Sequence, residues 1–164
     1  MLERSSETSN DAPGDIRRRF VDGLLSIDAK DHQKAHETLA RARGLLTTDG
    51  TDARLECEVA EALMDIRSYQ EARRLLETVI MKRSGRSDSD SADRVYYQLG
   101  MISLKSGNGS EAVKFLRMSL GLTKMNDKDH LYRTLPDAYS LVGMRGKAQE
   151  FSSKIPTTRK WGSS

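Results

Sequence analysis

Residues 96–116 read YYQLGMISLKSGNGSEAVKFL, and the order of small, turn-forming and apolar residues within them decides the fold. Side chains that sit easily in a helix run as far as Lys105, and a second such run starts after Asn108. Gly107 stands between them, the residue type that ends a helix in a left-handed conformation. Gly100 and Ala112 place one small residue on each arm, twelve positions apart, and two antiparallel helices joined by a short turn pack closely where such residues meet. Leu116 follows the alanine by four, one turn further along the same face. The stretch predicts an antiparallel helix hairpin.

The arrangement recurs along the chain. AKDHQKAHETLARA is centred on Ala35, IRSYQEARRLLETV on Ala72, SGNGSEAVKFLRMS on Ala112 and VGMRGKAQEFSSKI on Ala148, at spacings of 37, 40 and 36 residues. Twelve residues before each alanine stand Gly23, Ala60, Gly100 and Pro136, and four after it Leu39, Leu76, Leu116 and Ser152. Gly107 and Gly143 both lie five residues ahead of their alanines, at the expected helix end. A period of this length marks stacked helical repeats, each too small to bury its apolar face alone.

With these residues in place, the chain resembles the tetratricopeptide repeat (TPR) family over roughly residues 16–156. Tyr96, Leu99, Gly100, Ala112 and Leu116 fall on the large, Leu, Gly, Ala and large-apolar places of the motif, and the fourth repeat adds Tyr132, Leu135, Tyr139, Gly143 and Ala148. The first repeat departs from it, with Arg19 and Asp22 at the large and Leu places. Pro136 replaces a small residue, and no repeat ends in the motif's proline. The resemblance implies an all-α chain, a right-handed α-solenoid of about four TPR-like hairpins, with repeats near 16–49, 53–84, 93–124 and 129–156 inside a domain spanning 13–156. Residues 1–12 and 157–164 are expected to be disordered tails. SGRSDSDSAD, residues 84–93, is expected to be a mobile polar loop between the second and third repeats.

Composition supports helix and narrows the function. Three prolines, 5% aromatic residues and many Ala, Leu, Glu, Arg and Lys favour helix over strand. A formal charge of +3, from 27 basic and 24 acidic residues interleaved along the helices, argues against nucleic acid as the partner, despite local clusters at Arg17 to Arg19 and at Met81 to Arg86. No apolar run reaches the roughly 20 residues that span a bilayer, and the polar start of the chain offers no apolar core for secretion, so a cytoplasmic protein is expected. Cys57, the single cysteine, excludes an intramolecular disulfide and a Cys-based zinc site, and it has no evident His partner for thiolate chemistry. His32 and His36 stand four apart beside Asp28 and Asp31, but two ligands on an exposed face make a poor metal site. No phosphate loop precedes a helix. The reading is no enzyme, no cofactor and no metal, and Trp161 is expected to sit in the C-terminal tail.

In TPR proteins the first helix of each pair lines a groove, and carrying those places over gives four sets. They are Arg17, Phe20, Leu24 and Ile27; Arg54, Cys57, Glu61 and Met64; Arg94, Tyr97, Met101 and Leu104; and His130, Arg133, Asp137 and Ser140. The expected partner-binding residues are Phe20, Leu24, Arg54, Met64, Arg94, Tyr97, Met101, Leu104 and Arg133, an apolar floor with methionines and an arginine rim. Such a surface implies a partner protein that offers a peptide or helical segment with apolar and acidic residues. Phe20, Leu24 and Glu58 stand where the chaperone-tail binders of the family have a Lys and Asn clamp, which disfavours a C-terminal carboxylate ligand. The leading function is an adaptor, scaffold or chaperone. The alternative is a structural subunit that forms a homo-oligomer, or docks into a larger assembly, through its solenoid ends or convex face.

Overall fold

A computed structural model describes residues 13–28, 30–46, 53–83 and 91–155. Among them are eight α-helices: α1 (Pro13–Asp28), α2 (His32–Leu46), α3 (Ala53–Asp65), α4 (Tyr69–Arg83), α5 (Ala92–Lys105), α6 (Gly109–Leu122), α7 (Asp129–Leu141) and α8 (Arg145–Ser152). A single 3-10 turn, Met125–Asp127, precedes α7, and no strand occurs among the described residues. The fold is all-α, as the repeats imply. The two tails, Trp161 and most of the 84–93 stretch lie outside the described residues, although Ala92 and Asp93 already belong to α5. The chain divides into two compact units, 1–72 and 73–164. In the first, α1 packs on α2 and both meet α3; in the second, α5 packs on α6 and α7 on α8, with α7 against both helices of the preceding hairpin.

Each hairpin closes in the same way. The residue five before the alanine has a positive φ in all four: Lys30 (59°), Arg67 (61°), Gly107 (74°) and Gly143 (76°). Its amide donates to the carbonyl three residues back, as from Gly107 to Leu104 at 3.1 Å. The next amide reaches five back, as from Asn108 to Ser103 at 2.9 Å. Both bonds recur at Lys30 and Asp31, at Arg67 and Ser68, and at Gly143 and Met144. This is the double-bonded Schellman ending, which satisfies the last carbonyls of one helix as the chain turns into the next. Every motif alanine then makes an early bond of the second helix, its amide donating to the carbonyl four back, at 2.9, 3.1, 3.0 and 3.0 Å in chain order. Asp31 and Asn108 add side-chain caps, accepting from the Lys34 and Glu111 amides.

Close approach of the two arms rests on glycine. A Cβ at Gly100 would lie 2.7 Å from Cγ of Leu116, and one at Gly23 would lie 2.8 Å from Cδ2 of Leu39. The small residue of the first arm therefore seats the leucine that follows the alanine, and not the alanine itself. Gly109 does the same between hairpins of the second unit, where a Cβ would meet Cβ of Leu141 at 2.7 Å. Ala112, Leu116, Leu131, Leu135, Tyr139 and Phe151 form one apolar cluster across α6, α7 and α8.

A second recurrence joins consecutive hairpins. The residue after one alanine meets the residue before the next. His36 Nε2 lies 3.0 Å from a Glu71 carboxylate oxygen. Arg73 grips Glu111 through both guanidinium Nη atoms at 3.0 and 2.8 Å and also donates to the Ser103 hydroxyl at 3.1 Å, while Ser103 donates to Glu111 at 2.7 Å. At the third-to-fourth step the two places hold Val113 and Lys147, and Lys147 pairs with Glu150 of its own helix at 2.9 Å. The Arg73 guanidinium and the Ser103 hydroxyl hold the Glu111 carboxyl well below its ordinary 4.5, at about 2.

Three outcomes follow from this geometry. Gly100→Ala should cost about 1–3 kcal/mol by forcing Leu116 aside, and Leu116→Ala about 2–5 kcal/mol by opening a cavity. In the double variant the two costs should fall short of their sum, because the new methyl enters the space vacated; additive unfolding midpoints would show that the side chains do not meet. Arg67→Gly should raise stability by about 0.5–1 kcal/mol, read as a higher melting temperature, because glycine adopts the left-handed turn without steric cost. The Glu111 contribution is fully present above about pH 4.5 and drains as the pH falls toward 2, since its folded value is depressed. Glu111→Gln should therefore destabilise by about 1–3 kcal/mol at neutral pH, with a gap to the native chain that closes below pH 4.5 in acid titrations of the melting temperature.

Candidate functional site

The first helices of the third and fourth hairpins, α5 and α7, stand side by side in the second unit. Successive residues on one face of a helix are three or four apart. Tyr97, Met101 and Leu104 thus form one stripe on α5, and His130, Arg133, Asp137 and Ser140 form another on α7. A cavity of about 600 Å³ opens between the stripes, lined by Met101, Leu104 and Lys105 from α5 and by Arg133, Thr134, Asp137, Ser140 and Leu141 from α7. Met101 and Leu104 are half-buried, and Leu141 is 53% exposed. Lys105, Arg133 and Asp137 are exposed at the rim.

One end of this face is braced. The Tyr97 ring meets the His130 ring edge-on with centroids 4.6 Å apart, and its hydroxyl lies 3.5 Å from Thr134 Oγ1. Thr134 in turn donates to the His130 carbonyl at 2.8 Å, and Ser140 donates to the Pro136 carbonyl at 2.8 Å. With those hydroxyl protons committed to backbone, the cavity offers an apolar centre with two cations and one carboxylate around it. Such a surface is of the kind that can hold an apolar side chain by non-covalent contact, with charge at its edge.

The structure brings together Met101, Leu104 and Arg133 at the cavity, with Tyr97 in the brace beside it. Arg94, on the same helix, is half-buried and engaged by its surroundings. The other named residues belong to the first unit. There Phe20 and Met64 are half-buried, Leu24 is 40% exposed, and exposed Arg54 lies 3.5 Å from Glu58. Cys57, at a groove place by the family pattern, is fully buried and belongs to the core. Lys105, Thr134 and Leu141 were not foreseen. Lys105 and Leu141 each directly follow a groove place and close a helix, where the chain begins to turn and brings the next side chain to the same opening. His36 is paired with Glu71, and the His32 side chain lies outside those described. Among the described residues no group of three or more His, Cys, Asp and Glu is gathered, and no helix is long and apolar enough to cross a membrane.

No protein-family model matches this chain, and neither does any curated protein. Solved structures do. The TPR-like repeats of a Podosopora anserina protein described as a kinesin light chain superpose with a TM-score of 0.71 at 21% identity, over 91% of this chain and 76% of that one. A second structure of the same repeats gives a TM-score of 0.69 at 20% identity, over 87% and 74% of the two chains. MamA gives 0.63 at 21% identity, over 88% of this chain and 78% of its own. At such identities the likeness speaks for fold alone, and the fold of this chain is that of the TPR-like helical repeats.

Proposed function

We propose that the chain is a non-catalytic protein-binding module, an adaptor, scaffold or chaperone, that holds an apolar and acidic segment of a partner protein on its α5–α7 face. The observation that carries this reading is the cavity itself, in which Met101, Leu104 and Leu141 surround the opening and Lys105 and Arg133 stand at its edge. Methionine and leucine adapt to varied aliphatic shapes. The two cations favour a carboxylate beside the apolar anchor, while Asp137 disfavours one at its own position. Of the remaining expected binding residues, Arg94 and Tyr97 share α5 with this face, and Phe20, Leu24, Arg54 and Met64 would take the same role within the first unit. The TPR-like fold of the solved neighbours is in keeping with a binding module. A cytosolic setting fits the lone buried thiol of Cys57. A nucleic-acid partner is disfavoured by the interleaved charges.

A second reading, a structural subunit that assembles through its ends, draws on exposed apolar residues of α1, and the two readings part experimentally. Peptides that pair Leu or Met with Asp or Glu should bind the native chain, and the same peptides with Lys in place of the acids should bind more weakly, by fluorescence anisotropy. Met101→Ala with Leu141→Ala should weaken binding at least about tenfold, or 1.4 kcal/mol, with the helical spectrum unchanged. Arg133→Glu should slow association more than it speeds dissociation. Binding that survives all three changes but disappears on substitution of Lys114 and Arg117 in α6 would move the site off this face.

A further inference from the structure

The charged groups that line the α5–α7 cavity, Lys105, Arg133 and Asp137, stand in a fixed order along it. The Tyr97 ring meets His130, and its hydroxyl lies 3.5 Å from Thr134 Oγ1, so residue 97 is level with the turn of α7 between those two. The two helices run in the same direction. α6 leaves α5 through the tight turn at Gly107, and Gly109 at its start lies against Leu141 at the end of α7, so α6 is antiparallel to both. Turn by turn, Met101 is then level with Asp137, and Lys105 at the end of α5 with Leu141 at the end of α7. Arg133 marks one end of the cavity, Asp137 the middle of its α7 wall and Lys105 the other end. Eight residues of helix separate the levels of the two cations, or about 12 Å.

All of these charges are exposed. Arg133 and Asp137 are four apart on α7, the spacing at which Arg54 pairs with Glu58 and Arg73 with Glu77. Among the described residues, however, neither takes part in an ion pair, and neither does Lys105. The shape of the opening limits what can meet them. Spread over about 12 Å, the cavity of about 600 Å³ has a mean section of about 50 Å², roughly 7 Å across, narrower than the 10–12 Å of an α-helix. An extended chain fits, and its alternate side chains face one way at intervals of about 6.6 Å. Residues i and i+4 of such a chain are about 13 Å apart, which matches the separation of the two cations, while residue i+2 falls over Met101 and Leu104.

We propose, on the footing that the α5–α7 face is the binding site, that its cavity selects a partner by charge spacing. The occupant is an extended segment of another protein, in which an aliphatic residue has an acid two places before it and another two places after. Arg133 takes one carboxylate and Lys105 the other. The aliphatic side chain enters among Met101, Leu104 and Leu141, and Asp137 rejects a third acid at the centre. Within this chain, acids four apart with Leu, Ile, Val or Met midway occur only at Glu61, Leu63 and Asp65. That segment is helical and Leu63 is fully buried in α3, so a folded second copy does not offer it.

Two labelled peptides of identical composition test it by fluorescence anisotropy on the full chain. Both carry one Leu and two Glu in a Gly-Ser background; in one the acids lie two places before and after the Leu, in the other directly beside it. The spaced peptide should bind about tenfold more tightly, since in its isomer both acids face away from the cations. Lys105→Glu and Arg133→Glu should each weaken the spaced peptide at least about threefold, with native helical content. Replacing one Glu of the peptide by Lys should restore binding to each variant at one place only, and at opposite places for the two. Equal binding of the isomers, with both weakened by Met101→Ala and Leu141→Ala, would overturn the spacing and leave the site standing. Restoration by Lys at either place alike would also overturn it. Binding of neither peptide would remove the α5–α7 site, and the spacing with it.

Discussion

One residue in the left-handed region, five before each alanine, is the constraint on which the rest depends. Its positive φ reverses the chain within two residues, and its own amide and the next take up carbonyls that the ending helix would otherwise leave open. The hairpin arms come out of that turn already antiparallel and already offset. Gly23 can then meet Leu39, and Gly100 can meet Leu116, at separations no larger residue permits. Only because the arms are this close do residues on either side of successive alanines, such as Arg73 and Glu111, come within hydrogen-bonding reach.

The α5–α7 face inherits its geometry from those same contacts. Since α6 is seated against α5 by Gly100 and against the end of α7 by Gly109, the spacing of α5 and α7 is fixed by backbone approach and not by the side chains that line the cavity. Those side chains do not set that spacing. Met101, Leu104 and Leu141 carry no packing burden comparable to that of Leu116 or Leu135, both fully buried. Repeat folds separate scaffold from surface in this manner, and here the division falls between residues of one helix.

How much of this was legible in the sequence depends on what each residue type can signal. Gly107 and Gly143 announce their turns because glycine alone adopts positive φ without cost, whereas Lys30 and Arg67 take the same conformation under tertiary constraint and look ordinary in sequence. The four alanines and the leucines after them were legible through spacing, and the helices follow from them. The seating of leucine on glycine was not, because spacing gives the face and not the atom that fills it. Cys57 reads as a small residue fit for either burial or the groove, and it is core. Glu56, an acidic residue at the motif's large place, is 2% exposed, and charge normally argues the opposite. Of the cavity, the stripes on α5 and α7 could be read from helical periodicity, while Lys105 and Leu141 could not, since helix ends break the period that identified the rest.

The difference between lysine or arginine and glycine at the turns also has a kinetic side. Closing a hairpin is the costly first step in forming a repeat array, and contacts between neighbouring repeats reward it only afterwards. Glycine at residues 107 and 143 leaves that first step free of the steric cost that Lys30 and Arg67 carry in the left-handed region. The same two hairpins share the apolar cluster from Ala112 to Phe151, so the partner that stabilises each is its nearest neighbour in the chain. On the steric cost of the turn alone, closing a hairpin is easiest at residues 107 and 143, and growth from those hairpins would run against the direction in which the chain is synthesised.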